Sequence, residues 1–429
     1  MRPTTLADMP TATKPRPFHD ELLRELAHEY GTPLYVYDAG RAQAQVERLR
    51  GFDRVRYAMK ANSNLSLLAV LRACGVGLDC VSAGEVHRAL AAGFAPEQIV
   101  YTADLFDGAA LDCIAAHGLH ANLGSADMIE QYAPVSADGR VTLRINPGFG
   151  HGHDRKVNTG GERSKHGIWH AELPQAVQRA RQAGLRVSGL HMHIGSGTDL
   201  EHLGRVCEAM RAAARFVGAE LETVSAGGGL PIPYRAGEPE LDVERHVEAW
   251  RRTRDELSRE LGCPLEVEVE PGRFLVAECG VLLAKVRATK QVAGRAHLLL
   301  DAGFHTLGRP MMYGAFHQIS IVGRDEEARQ PTVVAGPLCE AADVFTQDNA
   351  GAPQPQDLPA ARAGDLACFH DAGAYGMSMA SNYNSQPLPA EVLLLDGRAH
   401  LVRVRQETSA LCQPELDGLN ALKGALSAS

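Results

Sequence analysis

The chain has 429 residues, of which 43 are basic and 52 acidic, for a formal net charge of −9. That charge disfavours non-specific binding to nucleic acid or anionic membranes, and no apolar run approaches the roughly 18 residues of a membrane span. A composition 45% hydrophobic and 22% charged is that of an ordinary globular protein, with length for two or three domains. Residues 1–18 are rich in Thr, Pro and Ala, lack the apolar core of a secretory signal, and read as a frayed tail. The nine cysteines are odd in number and scattered, with no C-x-x-C. They read as reduced thiols of a cytoplasmic protein, not as a disulfide framework or a thiolate zinc site.

In chain order, Pro33–Tyr37 is strand-like. From about Val36 to Glu270, short β-like runs alternate with amphipathic helical stretches. Arg54–Met59 reads as a strand, and the apolar residues Leu67, Leu68, Val70 and Leu71 within Ser66–Cys74 follow a helical period. Gly77–Val81 is the next strand, and Gly84–Ala92 is a helix closed by Gly93. Ile99–Thr102, Val141–Asn146, Val187–His193 and Leu265–Glu270 are further strands with helical segments between most of them. Repetition of this kind predicts a parallel sheet and fits a (β/α)₈ barrel better than a doubly wound sheet. Beyond Val281 the texture changes. Val281–Lys290, His297–Asp301, Thr332–Ala335, Asp365–His370, Glu391–Leu395 and Ala399–Arg405 are strand-like, separated by Gly, Pro and Asp turns, and Asp348–Leu358 reads as a surface loop. The predicted organisation is a tail over 1–18, a segment over 19–40 that joins the β-rich domain, a barrel over 41–280 inserted between them, and the β-rich domain over 281–429.

Several stretches could carry chemistry. In Arg54–Asn62, Val55, Tyr57 and Met59 alternate, which puts Lys60 on the opposite face at the C-terminal rim of a strand. Lys60 is either a surface lysine at a strand end or an amine nucleophile whose pKa a confined apolar site lowers. His191 and His193 share a face. They are either a metal pair, as in barrel hydrolases, or include one ring stacked on a flat ligand, with Gly195-Ser196-Gly197 binding an anion. Gly227-Gly228-Gly229 is either a tight turn or a backbone cradle for phosphate; no P-loop or dinucleotide fingerprint accompanies it. Glu266, Glu268 and Glu270 share one face of a strand, where they need partners if buried. The strand runs into Pro271-Gly272-Arg273, with Glu270 suited to a protonated ring nitrogen and Arg273 to a phosphate or carboxylate. Arg309–Tyr313, Gly336–Glu340 and Asp371–Gly376 are individually ambiguous.

An amine, a stacking ring, a phosphate cradle and a carboxylate for a ring nitrogen are together what pyridoxal phosphate requires. The ordered stretches Tyr57–Asn62, Asp79–Glu85, Arg144–Pro147, Asn158–Gly167, His191–Gly197, Gly227–Gly229, Glu270–Arg273, Arg309–Gly314, Gly336–Phe345 and Asp371–Asn384 carry the likeness. Over almost the whole chain past the tail it resembles the fold-type III, alanine-racemase-like decarboxylases, and among them the diaminopimelate decarboxylase family. The resemblance implies a (β/α)₈ barrel that binds pyridoxal 5′-phosphate, with a C-terminal β-barrel domain. It implies a cytoplasmic homodimer with shared active sites and neither nucleic-acid nor membrane partners. The implied reaction converts meso-2,6-diaminopimelate to L-lysine and CO₂, the last step of lysine biosynthesis. The alternative is a related decarboxylase acting on ornithine, lysine or arginine. By the same resemblance Lys60 would carry the cofactor and His193 would stack on its ring. Ser196, Gly227, Gly228, Gly229 and Tyr375 would hold its phosphate, with Pro271, Gly272 and Arg273 beside it. Glu270 would keep the ring nitrogen protonated, and Asp79, Glu85 and Arg144 would support ring and lysine. Arg309, Tyr313 and Glu340 would grip the far end of the substrate, with Arg273 and Tyr375 also near it, and Cys339 would be the proton donor from the partner subunit. The family's small Ser-Gly after the Cys-Glu pair is Ala341-Ala342 here, and Met311-Met312 stands between the Arg and the Tyr.

Overall fold

A computed structural model describes residues 14, 16–150, 160–195 and 200–427. It divides into two compact units: a β-rich one running through Asp38, with Tyr234–Ala236 and everything from Gly280, and a barrel one made of Ala39–Pro233 and Gly237–Cys279. Strand β1 (Leu34–Asp38) belongs to the β-rich unit and the next nine strands to the barrel unit.

Those nine are β2 (Arg54–Ala58), β3 (Gly77–Cys80), β4 (Ile99–Ala103), β5 (His120–Leu123), β6 (Arg140–Asn146), β7 (Ile168–Trp169), β8 (Arg186–His191), β9 (Thr223–Ser225) and β10 (Glu266–Val269). Eight of them pair in parallel around a closed circuit, β2-β3-β4-β5-β6-β8-β9-β10 and back to β2, and the short β7 extends from β6. The crossovers are helices with well-defined starts: Asn64 caps Leu65–Ala73, Ser82 caps Ala83–Ala91, Asp107 caps Gly108–His117 and Asp242 caps Val243–Leu261. Each cap satisfies backbone N–H groups that the first helical turn leaves open.

Alternation along the barrel strands sorts polar from apolar. On β10, Val267 and Val269 are fully buried on one side, while Glu266, Glu268 and Glu270 take the other. That second face carries Arg56, Asp79, Thr102, Asn122, Thr142, Arg144, His191 and Ser225, all buried. Arg56 Nε and Nη2 each donate to a Glu268 carboxylate oxygen at 3.0 Å. His120 Nε2 lies 2.8 Å from Thr142 Oγ1, and Asn122 Nδ2 donates to Thr102 Oγ1 at 3.3 Å. The barrel interior is thus polar, with several of its groups bonded to one another. Gly189 permits a close crossing: a Cβ there would lie 2.2 Å from Thr142 Oγ1 and 2.9 Å from Thr223 Oγ1.

The β-rich unit comprises β1, β11 (Gly280–Val292), β12 (Arg295–Leu300), β13 (Ile319–Ile321), β14 (Arg329–Ala335), β15 (Gln356–Pro359), β16 (Leu366–Phe369), β17 (Ala390–Leu395) and β18 (Arg398–Arg403). Its sheet branches at β11, whose first half pairs with both β1 and β16 and whose second half pairs with β12. Two hairpins turn through left-handed pairs, Ala293-Gly294 and Asp396-Gly397, as two-residue type I′ connections require. β1 lies between β11 (antiparallel) and β17 (parallel), so the N-terminal strand is structurally part of the C-terminal unit. Helix Asp20–Tyr30 joins the same core through Leu23, Leu26 and Ala27. Glu391 is fully buried, accepts from Tyr37 Oη at 2.8 Å and pairs with Arg403 Nε.

The two units divide after Asp38 and after Cys279, and Tyr234–Ala236 groups with the β-rich unit, where Tyr234 meets Arg309 and Arg235 lies over the Phe316 ring. The expected surface loop Asp348–Leu358 ends inside β15, whose pairing with β14 is non-local. A helix, Leu416–Ser427, follows the strands of the β-rich unit, and its Leu416, Leu419, Leu422 and Leu426 are exposed. Among the described residues no helix is long and apolar enough to cross a membrane.

The Arg56–Glu268 pair generates a stability prediction. Arg56→Met would leave Glu268 with only Arg54 Nε, 3.8 Å away, at an expected cost of about 3–5 kcal/mol. Arg56→Met with Glu268→Leu should recover most of that loss. Denaturant unfolding of the three proteins measures it, and an equally large loss in the double variant would show that charge pairing is not what the site requires.

Candidate active site

The barrel mouth is built where β2, β3, β8, β9 and β10 end. After β2 the chain turns into a short 3₁₀ helix, Met59–Ala61, so Lys60 stands just past the strand and is exposed. Tyr57 Oη donates to Asn62 O at 2.9 Å and Asn62 Oδ1 accepts from Asn64 N at 3.0 Å, which holds that turn. Of the two readings of Lys60, the exposed strand-end position is the one observed. Its neighbourhood is charged: Lys60 favours the ionised forms of Asp79 and Glu85 and disfavours protonation of His193. Glu85 is fixed by its helix start, where its carboxylate accepts from Val81 N at 2.8 Å and its own N–H donates to Ser82 Oγ at 3.2 Å.

Glu270 follows β10 and is buried. Its Oε2 lies 2.7 Å from His191 Nε2, and Ser225 Oγ donates to its Oε1 at 3.0 Å. Burial opposes its charge, but His191 and the Ser225 hydroxyl outweigh that and hold the carboxyl down at about 2. Asp79, on β3, goes the other way. Burial first, then the neighbouring Glu270 charge, push it up to about 6, against Thr102, Lys60 and His191. Its Oδ1 has no hydrogen-bond partner among the described residues.

His193 lies two residues beyond β8, and its Nδ1 accepts the Gly228 N–H at 3.1 Å. Burial, with Arg144, Lys60 and His191 nearby, holds this ring well below the usual histidine range, so it is neutral. The glycine loop after β9 leaves no room for side chains. A Cβ on Gly228 would meet Glu270 O at 2.4 Å, and one on Gly229 would meet Gly195 O at 1.9 Å. Ser225 Oγ also accepts the Gly227 N–H at 3.2 Å, and Glu270 N–H donates to Gly227 O at 2.9 Å. Pro271 O accepts the Ala58 N–H at 3.1 Å, tying the segment after β10 to the end of β2. Gly272 precedes the short helix Arg273–Val276, and Arg273 is half-buried.

The structure therefore gathers Lys60, Asp79, His193, Gly227, Gly228, Gly229, Glu270, Pro271, Gly272 and Arg273 on the barrel unit. Ser196 and Gly197 lie outside the described residues. Each histidine of the supposed metal pair commits a ring nitrogen elsewhere, His191 to Glu270 and His193 to Gly228. Among the described residues no group of three or more His, Cys, Asp or Glu could hold a metal ion. Sequence reasoning assigned no role to Ser225, or to Asp104, whose carboxylate pairs with His166 Nδ1 and accepts the Gly167 N–H at 3.2 Å. Their links to the site are long-range: Ser225 reaches Glu270 and Asp104 reaches His166 and Gly167, each tens of residues away.

The remaining expected residues belong to the β-rich unit. Arg309 is buried and opens the helix Arg309–Tyr313. Tyr313 is half-buried at its end. Cys339 and Glu340 are exposed, and Cys339 N–H donates to Asn384 Oδ1 at 2.8 Å. Tyr375 and Asp371 hold left-handed backbone at φ 57° and 54°, a conformation uncommon for residues with side chains.

Asp79 makes a testable linkage. Its folded value lies above the unfolded one, so it imposes no penalty where both states are protonated, and the penalty grows as pH rises through about 6. Asp79→Asn should match the parent near pH 3.5 and be the more stable protein at pH 8 by about 2–3 kcal/mol. Unfolding of the ligand-free proteins at both pH values tests this, and equal stability at pH 8 would contradict it.

Comparison with known proteins bears on this site. Residues 39–277 match the family model for the pyridoxal binding domain of pyridoxal-dependent decarboxylases. A diaminopimelate decarboxylase of Streptomyces coelicolor is 50% identical over 403 residues, covering 92% of each chain. A crystal structure of diaminopimelate decarboxylase superposes with a TM-score of 0.90 at 48% identity, covering 92% of this chain and 96% of that one. The Helicobacter pylori diaminopimelate decarboxylase complexed with L-lysine gives 0.82 at 30% identity, covering 92% of this chain and all of the other. With such identity across nearly the full length of both chains, and with the expected amine, ring, carboxylate and glycine loop gathered at one barrel mouth, this chain belongs to the diaminopimelate decarboxylase family of pyridoxal-dependent decarboxylases.

Proposed function

We propose that the barrel mouth binds pyridoxal 5′-phosphate and uses it to convert meso-2,6-diaminopimelate to L-lysine and CO₂, in a homodimer whose subunits share active sites. The observation that carries this reading is the buried, ionised Glu270 beside a neutral His193 and a glycine loop too tight for any Cβ. The unpartnered Asp79 Oδ1 supports it, as a buried acceptor at the same mouth. Lys60 would hold the cofactor through its amine. Gly227, Gly228, Gly229, Ser196 and Tyr375 would hold its phosphate, with Pro271, Gly272 and Arg273 beside it. Bound there, pyridoxal phosphate supplies a sink for the electron pair left when the carboxylate departs.

The chain's own residues do the rest. Glu270, kept ionised by His191 and Ser225, holds a proton on the ring nitrogen. His193 offers a flat face and, being neutral, adds no positive charge to compete with that proton. Arg309 and Tyr313 take the distal carboxylate of the substrate, and Glu340 its distal amine. The Cys339 thiol delivers a proton to the carbon that has lost CO₂, in the partner's site. Exposure of Cys339 and Glu340 supports that last assignment, and the L-lysine bound in the H. pylori relative supports the product. Nine free cysteines support a reducing, cytoplasmic setting.

The purified protein should release CO₂ from meso-diaminopimelate, and borohydride should fix the cofactor on the peptide containing Lys60. Release from ornithine or lysine but not from meso-diaminopimelate would overturn the substrate. Site sharing has its own test. Lys60→Ala and Cys339→Ala homodimers should each be nearly inactive, and mixing them after dissociation should restore about a quarter of the parent activity, because half the dimers then hold one intact site. No recovery on mixing would sink the shared site.

A further inference from the structure

Arg309 is 5% exposed, and no carboxylate among the described residues pairs with it. Its hydrogen bonds go to neutral groups, and both leave from one nitrogen: Nη1 donates to Tyr234 Oη at 3.0 Å and to His317 Nε2 at 2.9 Å. Nη1 has two hydrogens, so it is saturated. The Tyr234 ring also lies under the guanidinium, with its centroid 4.9 Å from Cζ, and meets the His317 ring edge-on at 5.5 Å.

The tautomer of His317 follows from its other nitrogen. Nδ1 lies 2.8 Å from the His370 carbonyl oxygen, which can only accept. Nδ1 therefore carries the proton, and Nε2 is a lone pair facing Arg309. His317 is 3% exposed, and its own carbonyl accepts from Gln356 Nε2 at 2.9 Å. The imidazole is thus held as a fixed, uncharged acceptor.

We propose that His317 and Tyr234 are positioning residues that saturate Arg309 Nη1, so that a substrate carboxylate is taken bidentately on the Nε–Nη2 edge alone. Arginine meets a carboxylate through two parallel N–H bonds from one edge. With Nη1 engaged, Nε–Nη2 is the edge available. Neutral partners matter as much as their geometry. A carboxylate in place of His317 would compensate the guanidinium within the protein, whereas an imidazole and a phenol fix its direction and leave its charge for the ligand. A ligand without the carboxylate leaves that buried charge uncompensated, which makes this pair a determinant of specificity. The inference rests on the reading above that Arg309 receives the distal carboxylate.

The test uses cofactor-loaded protein and two amines of equal chain length, L-lysine and 1,5-diaminopentane, the second of which lacks any carboxylate. Calorimetric dissociation constants are measured for both, with kcat and KM for meso-diaminopimelate. His317→Phe and Tyr234→Phe should each weaken L-lysine binding and raise KM by about tenfold, the worth of a hydrogen bond to a charged group, and leave 1,5-diaminopentane binding unchanged. His317→Gln, whose amide oxygen can replace Nε2 as acceptor, should restore most of the L-lysine affinity. Equal weakening of both amines, or of neither, in both Phe variants overturns the proposal. If Arg309→Lys itself fails to separate the two amines, the assignment of Arg309 to the carboxylate is what falls.

Discussion

An ionised carboxylate sealed in a protein persists only where its neighbours outweigh its lost hydration, and at Glu270 those neighbours organise the whole barrel mouth. His191 and Ser225 come from the ends of two other strands and bond its two oxygens. Ser225 also receives the Gly227 N–H, Glu270 donates its own N–H back to Gly227, and Gly228 sets the His193 ring. Three segments far apart in sequence thereby lock one another through one buried charge. The site needs glycine at 228 and 229 because the backbones of these segments approach closer than any Cβ allows.

The two units use buried arginine in opposite ways. Arg56 sits inside the barrel in a two-bond pair with Glu268, and its charge is consumed by the fold. Arg309 is as well buried but is held by a phenol and an imidazole, so its charge remains for something that binds. Exposure alone would class them together. The ionisation state of the partner separates a structural cation from a recognising one.

Strand alternation and helical periods made most of the barrel legible, because β2, β3, β4, β6, β8 and β10 each bury one apolar face. The strand His120–Leu123 escaped because it is four residues long with a polar inner side, His120 and Asn122, that bonds Thr142 and Thr102. β15 escaped for a different reason: Gln356 and Asp357 read as loop, and only pairing with β14 makes them strand. The terminal helix Leu416–Ser427 carries its leucines on an exposed surface, so they do not mark a core.

The residue types of the site and the family were carried by local sequence, since an amine at a strand end, a glycine triplet and a Glu-Pro-Gly-Arg turn are each contiguous. The strand-like run before the barrel was legible too, and it is the β1 that pairs with β11 and β17. What only the tertiary structure decided is the state of these groups. Lys60 is exposed among charges, Asp79 and Glu270 are driven in opposite directions, His191 partners Glu270, and His317 bonds Arg309. Protonation and hydrogen-bond direction depend on distances between side chains that the chain brings together only on folding, and no spacing along the sequence encodes them.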